Sequence, residues 1–192
     1  FPEGITGRIE EVRQDAKREV RFDREISPAL QERIGSVPLP PYIRRQPGAP
    51  DRPEDRAAYQ TVFAREPLAV AAPTAGLHLT REILARIESR GVSIADLTLA
   101  IGAGTFKPVT SEDTDGHGLE TEEVFLPAGT AKRIFHSREA GERVVAVGTT
   151  VARALEAAVR REEGFEPQRD VRFSTELFIT PGFEFRAADA LL

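Results

Sequence analysis

The 192-residue chain carries 26 basic and 31 acidic residues, is 40% hydrophobic, and contains neither Cys nor Met. This composition excludes disulfides, thiolate-held metal and a thiol nucleophile, and a net charge of −5 excludes a surface that coats nucleic acid indiscriminately. No stretch approaches a transmembrane span or a secretory h-region, so a soluble, cytoplasmic, monomeric protein with one sizeable core or two small ones is expected, and the opening Phe1-Pro2 without an initiator Met predicts a segment of a longer protein.

In chain order, Gly4 to Val12 and Lys17 to Phe22 read as two strands joined by a polar turn at Asp15, with Ile9, Val20 and Phe22 on the apolar face. Their period of two predicts that residues 1–34 belong to a small all-β domain, and that residues 35–192 form a separate main domain. The proline-rich stretch Pro28 to Pro41 reads as the crossing between them. Arg44, Arg45, Arg52 and Arg56 follow among Asp51, Glu54 and Asp55, a pattern that fits either a solvated loop or phosphate contact.

A helix is predicted over Asp55 to Ala64, a loop through His78, a helix over Thr80 to Arg90 and a strand over Val92 to Ile101. Then come a strand over Glu122 to Leu126, a helix from Gly129 to Glu139 ended by Gly141, a strand over Arg143 to Val147 and a helix over Thr149 to Arg161. In the last helix Val151, Ala154, Leu155, Ala158 and Val159 recur at the spacing of one buried face. Such alternation predicts an α/β domain with largely parallel strands and a ligand beyond their C-terminal ends.

Two blocks stand out chemically. Val70 to Thr80 is poor in bulk and broken by Pro73. It includes Thr74 and Gly76, and it places His78 just before Thr80, a good helix cap, where backbone N–H groups favour an anion. Gly102-Ala-Gly-Thr-Phe-Lys-Pro-Val109 repeats the design: Gly102 and Gly104 permit close approach, and Thr105 and Lys107 offer a hydroxyl and a cation. Together they predict a single site lined by His78, Thr105 and Lys107.

Three further features have two readings each. Gly148-Thr-Thr150 runs from strand into helix, so Thr149 and Thr150 either line a ligand or merely cap the helix. Tyr59 either stacks on a substrate or is a buried tyrosine with a bonded hydroxyl, beside Gln60, which can read a nucleobase edge. Glu176, before the apolar Leu177-Phe-Ile179, is either a site carboxylate at a strand's start or a solvated edge.

Six ordered blocks carry a family resemblance: Pro38-Leu-Pro-Pro-Tyr-Ile43, Tyr59-Gln-Thr-Val-Phe-Ala64, Ala71-Ala-Pro-Thr-Ala-Gly-Leu-His78, Gly102 to Val109, Ala146-Val-Gly-Thr-Thr150 and Leu177-Phe-Ile-Thr-Pro-Gly182. Over nearly its whole length the chain resembles the S-adenosylmethionine:tRNA ribosyltransferase-isomerases of queuosine biosynthesis. The resemblance implies a barrel-like main domain with a small inserted β-barrel, and further sequence on both sides. It implies transfer and isomerisation of the ribosyl moiety of S-adenosylmethionine onto 7-aminomethyl-7-deazaguanine in tRNA, giving epoxyqueuosine-tRNA, with no metal.

By that resemblance His78 would move a proton, Tyr59, Gln60, Thr149 and Thr150 would contact substrate, and Thr105 with Lys107 would anchor polar groups. Ala100 and Glu120 stand where the family pattern has histidines, the second of them after His117, and Ala58 where it has arginine. Because imidazoles commonly carry protons, these departures leave two alternatives open. One is a non-catalytic nucleotide- or tRNA-binding homologue, the other an enzyme using S-adenosylmethionine on another acceptor.

Overall fold

A computed structural model describes residues 1–13, 18–40, 42–46, 52–102, 121–161, 164–165 and 167–192. The chain divides into two units, Phe1–Val37 with Arg45–Arg52, and Pro38–Arg44 with Pro53–Leu192.

The first unit holds an antiparallel hairpin of β1 (Gly7–Val12) and β2 (Arg18–Phe22), in which Ile9 faces Val20 and the register slips between Ile9 and Glu11. The turn expected at Asp15 lies outside the described residues. Gly7 is needed for closeness, since a Cβ there would meet Val20 Cγ1 at 2.9 Å. Ile9 and Val12 remain 56% and 60% exposed, so the hairpin covers little apolar surface of its own.

The stretch expected to be a bare connection contains a helix, α1 (Pro28–Ile34). Its start was written in the sequence: Ser27 caps it by accepting from the Leu30 amide, and Pro28 occupies the first turn, where a missing N–H does no harm.

In the second unit α2 (Pro53–Ala58) is shorter than the expected helix through Ala64. By contrast α3 (Arg81–Ser89) starts and stops as read. Thr80 Oγ1 accepts from the Ile83 amide at 3.2 Å, and Gly91, just beyond the end, has φ +81°. The strand expected over Val92 to Ile101 contracts to β3 (Thr98–Ala100). It is followed by β4 (Glu122–Leu126), α4 (Ala128–Glu139), β5 (Val145–Ala146), α5 (Thr149–Val159), β6 (Val171–Thr175) and β7 (Ala190–Leu191). Residues 177–179, read as a strand, have irregular backbone.

The expectation of largely parallel strands is overturned. β3, β4 and β6 form an antiparallel sheet with β4 central, and among the described residues only β5 and β7 pair in parallel. The described strands build small sheets and no closed barrel. Alternation misled because α4 and α5 do not each cross over between neighbouring strands. The chain leaves β4, passes through α4, β5 and α5, and returns as β6 running the opposite way. The burial of β4, with Glu122, Val124 and Leu126 inside and Glu123 exposed, is the in-and-out pattern of an antiparallel sheet rather than of a doubly covered parallel one.

The core lies between the sheet strands and the helix pair. Ile134 of α4 meets Val144, Ala146, Ala152, Leu155 and Ala187, and Leu126, Ala131 and Ala158 form a second cluster. Three of the expected apolar face of α5, Ala154, Leu155 and Ala158, are buried, and Val151 and Val159 partly so. No helix among the described residues is long and apolar enough to cross a membrane.

Candidate functional site

The low-bulk block begins by tying itself to the sheet: the Val70 amide donates to the carbonyl of Ile101, one residue past β3, at 3.0 Å. Pro73 then presets the backbone for a tight 3-10 turn, Thr74–His78, closed by the Gly76 amide on the Pro73 carbonyl at 2.8 Å. His78 is the exposed last residue of this turn, Thr74 is exposed at its start and Gly76 is buried within it.

Gly76 is buried because the Tyr59-Gln-Thr-Val-Phe block packs on it. A Cβ at Gly76 would lie 2.7 Å from Phe63 Cζ and 3.1 Å from Thr61 Cγ2. Tyr59 is buried, and its hydroxyl hydrogen-bonds the backbone of Ala72, the second of its two readings. Burial pushes that hydroxyl above its usual pKa against the opposing effect of the Ala72 bond. Gln60 is exposed and its Oε1 accepts from the Thr61 amide at 2.9 Å. Tyr59 therefore positions the loop, while Gln60 is the member of the pair that faces solvent.

A third and a fourth block arrive at the same place. Gly102 is exposed one residue beyond the Val70 anchor point. Gly148, at φ +97°, is the residue from which α5 starts, and a Cβ on it would stand 3.9 Å from Ala75 Cβ. No side chain caps α5 at that position; Thr149 is exposed and Thr150 half-buried in its first turn. Gly104, Thr105, Lys107, His117 and Glu120 lie outside the described residues, so the grouping of His78 with Thr105 and Lys107 is not reached.

Strand register gathers polar groups at this end of the sheet. Ala100, near the end of β3, faces Glu123 near the start of β4, and Glu122 faces Thr175 at the end of β6. Thr121 donates to Glu176 at 2.6 Å just outside the strands, so Glu176 is an exposed carboxylate at the end of β6. Among the described residues no group of three or more His, Asp or Glu is placed to hold a metal ion.

The sequence model of the family described as "Queuosine biosynthesis protein" matches residues 4–192. The chain belongs to that family. It is 48% identical to the S-adenosylmethionine:tRNA ribosyltransferase-isomerase of Rhodospirillum rubrum, over 100% of this chain and 54% of the relative. The protein of that name from Parvibaculum lavamentivorans gives 48% identity with the same coverage. A crystal structure of S-adenosylmethionine tRNA ribosyltransferase from Thermotoga maritima matches with a TM-score of 0.46 at 34% identity, over 61% of this chain and 34% of that one. The chain spans about half the length of the curated relatives it matches.

Two charged features of this queuosine-family chain escaped the reading of its sequence. Glu122, in the inward phase of β4, pairs with Arg153 of α5, Oε2 to Nη2 at 3.3 Å, with side chains only 7% and 14% exposed. Burial pushes the Glu122 carboxyl above its usual pKa, against the pull of the Arg153 guanidinium. The available signal was an acidic residue in phase with Val124 and Leu126.

Glu156 is the second. Its carboxylate is fully buried and accepts from the amides of Arg186, Ala187 and Ala188, at 2.8–3.1 Å, and from Arg160. Burial alone would raise its pKa; the three amides and Arg160 outweigh it and hold the group below the usual value. The i,i+4 spacing to Arg160 was a local signal, but the amides of Arg186, Ala187 and Ala188 lie about 30 residues on, where no local pattern reaches.

Proposed function

We propose that this chain forms part of an enzyme that transfers and isomerises the ribosyl moiety of S-adenosylmethionine onto 7-aminomethyl-7-deazaguanine in tRNA. Adenine and methionine depart as the ribosyl carbons become an epoxycyclopentane, giving epoxyqueuosine-tRNA. The observation that carries this reading is the convergence of the blocks at Tyr59, Val70 to Thr80, Gly102 and Gly148 at one end of an antiparallel sheet. Family membership and the relatives' names support it.

The reaction requires proton removal beside the sulfonium, protonation of departing adenine and orientation of the base's amine. In this reading exposed His78 moves a proton and Gln60 contacts the base. Tyr59 holds the loop through Ala72, Thr149 and Thr150 line the start of α5, and Thr105 with Lys107 anchors polar groups. No metal is assigned a task. The first unit belongs to a small β domain and the second to an α/β main domain whose barrel-like closure is completed by sequence that the longer relatives carry. The working location is the cytoplasm, with tRNA as partner.

The test is mass spectrometry of tRNA and small molecules after incubating protein from the complete gene with S-adenosylmethionine and tRNA bearing the 7-aminomethyl-7-deazaguanine base. Free adenine together with epoxyqueuosine-tRNA is the expected result. Adenine without modified tRNA would redirect the reading to another acceptor, and binding without turnover would leave a binding homologue.

A further inference from the structure

Helix α3 buries none of its residues, and its most open side is both apolar and cationic. Ile83, Arg86, Ile87 and Arg90 follow the i, i+3, i+4, i+7 spacing of one helix face and line a groove of about 260 Å³. Arg86 and Arg90 are exposed, Ile83 is 37% exposed and Ile87 is half-buried. The acidic residues of α3 stand off this face. Glu82 hydrogen-bonds the Thr80 side chain at the helix start, and Glu88, two positions from either arginine, lies on the other side of the helix.

The helix dipole favours cations in the last turn whichever face they occupy, so it does not account for two of them beside an exposed isoleucine. The pattern instead describes an occupant. A wholly apolar one would strip water from two guanidiniums and give them no partner. A nucleic-acid strand satisfies both halves of the groove: its phosphates pair with arginine, and its sugar and base faces lie against apolar side chains. With a net charge of −5 over the chain, any polyanion has to be held by a local cationic face of this kind.

Position supports RNA in particular. The helix is capped by Thr80, two residues beyond His78, and at the usual rise Arg86 and Arg90 stand about 9 and 15 Å along its axis from that cap. An RNA strand that brings a base to the His78 loop therefore has the α3 face beside it.

We propose that the α3 face of Ile83, Arg86, Ile87 and Arg90 binds the sugar–phosphate backbone of the tRNA next to the base being modified, each arginine pairing with a phosphate. This rests on the proposed function in that a tRNA is the substrate.

The test is fluorescence anisotropy with protein from the complete gene and tRNA bearing the 7-aminomethyl-7-deazaguanine base, at salt concentrations between about 50 and 200 mM. Each phosphate contact adds about 0.7 to 0.9 to the slope of log affinity against log salt. Arg86→Gln and Arg90→Gln should each lower the slope by that amount and the double variant by about twice it, with affinity falling about 2- to 5-fold per residue. Arg86→Lys, which keeps the charge, should keep the slope. In steady-state adenine release the double variant should raise the KM for tRNA and leave kcat unchanged, because the face lies away from the reacting atoms.

Thermal melts of the same variants without tRNA should match the unsubstituted protein. A lowered melting temperature would show that this face packs against the protein's own chain and would overturn the proposal. An unchanged salt slope in the double variant overturns it as well, and so does an affinity that falls by the same factor at every salt concentration. Failure of the unsubstituted protein to bind tRNA at any salt concentration overturns the proposed function, and this inference with it.

Discussion

Helices α3 and α5 have similar length and amphipathic patterns, yet α3 buries none of its residues and α5 buries Ala152, Ala154, Leu155, Glu156 and Ala158. α3 has the better ends, with the Thr80 cap and Gly91 behind it, whereas α5 starts at Gly148 with no side-chain cap. The contrast separates two things that sequence patterns tend to merge. Capping determines where a helix begins and ends; small side chains determine how closely it can be approached, and the alanines of α5 let the sheet and α4 come near. The helix that lies deeper also carries the charged residues of the interior, Arg153 and Glu156.

If this contrast is right, Glu156→Ala should be the most damaging single change. It strands the amides of Arg186, Ala187 and Ala188, the second of them buried, and the Arg160 charge, for a loss of about 3–5 kcal/mol in urea unfolding followed by circular dichroism. Leu155→Ala should follow at about 2–4 kcal/mol, since it opens a cavity among Ile134, Val144 and Ala187. Thr80→Ala should cost about 1 kcal/mol through the lost cap alone. Ile83→Ala, on the exposed flank of α3, should stay within about 0.5 kcal/mol. An Ile83→Ala loss as large as that of Leu155→Ala would erase the distinction between the helices.

A pH series sharpens the comparison within α5 and its partners. Glu156 has a lowered carboxyl pKa in the fold, so its contribution is present above the usual value of 4.5 and is lost as pH falls through the lowered one. Glu122 is raised, so its contribution is complete below 4.5 and is lost as pH rises through the raised value. Glu156→Gln should therefore flatten the acid side of the stability profile, and Glu122→Gln should flatten the decline that begins above 4.5. Identical slopes in the two variants would contradict the opposite environments of the two carboxylates.

Much of the local structure was legible because it is set by neighbours in sequence. The hairpin at Ile9 and Val20, the cap at Thr80, the stop at Gly91 and the apolar face through Ala154, Leu155 and Ala158 all follow from periodicity and backbone chemistry. Helix α1 was equally available through Ser27 and Pro28, although the cluster Pro38, Pro40 and Pro41 that follows is a signal for irregular backbone. Strand direction was not legible, because helix–strand alternation does not say which strands pair, and the reversal between β4 and β6 depends on β5 leaving for another sheet. At the candidate site, composition marked the Val70 to Thr80 loop and His78. The buried role of Tyr59 depends on Ala72, and the pairing of Glu122 with Arg153 spans 31 residues that no local rule connects.

Glu156 lies 31 residues ahead of Ala187, whose amide it binds. The same late segment supplies Asp189 to the Val144 amide and Leu192 to the backbone of Ala146 and Gly148. On a ribosome, α4, β5 and α5 are thus made well before the residues that complete their packing. At the usual elongation rates the interval is on the order of seconds. During it the Glu156 carboxylate stays hydrated and the apolar side of α5 stays uncovered, so this half of the core is consolidated only once residues 186–192 have been made. A slow codon between residues 161 and 184 would lengthen the window in which nascent chains associate with one another or with a chaperone.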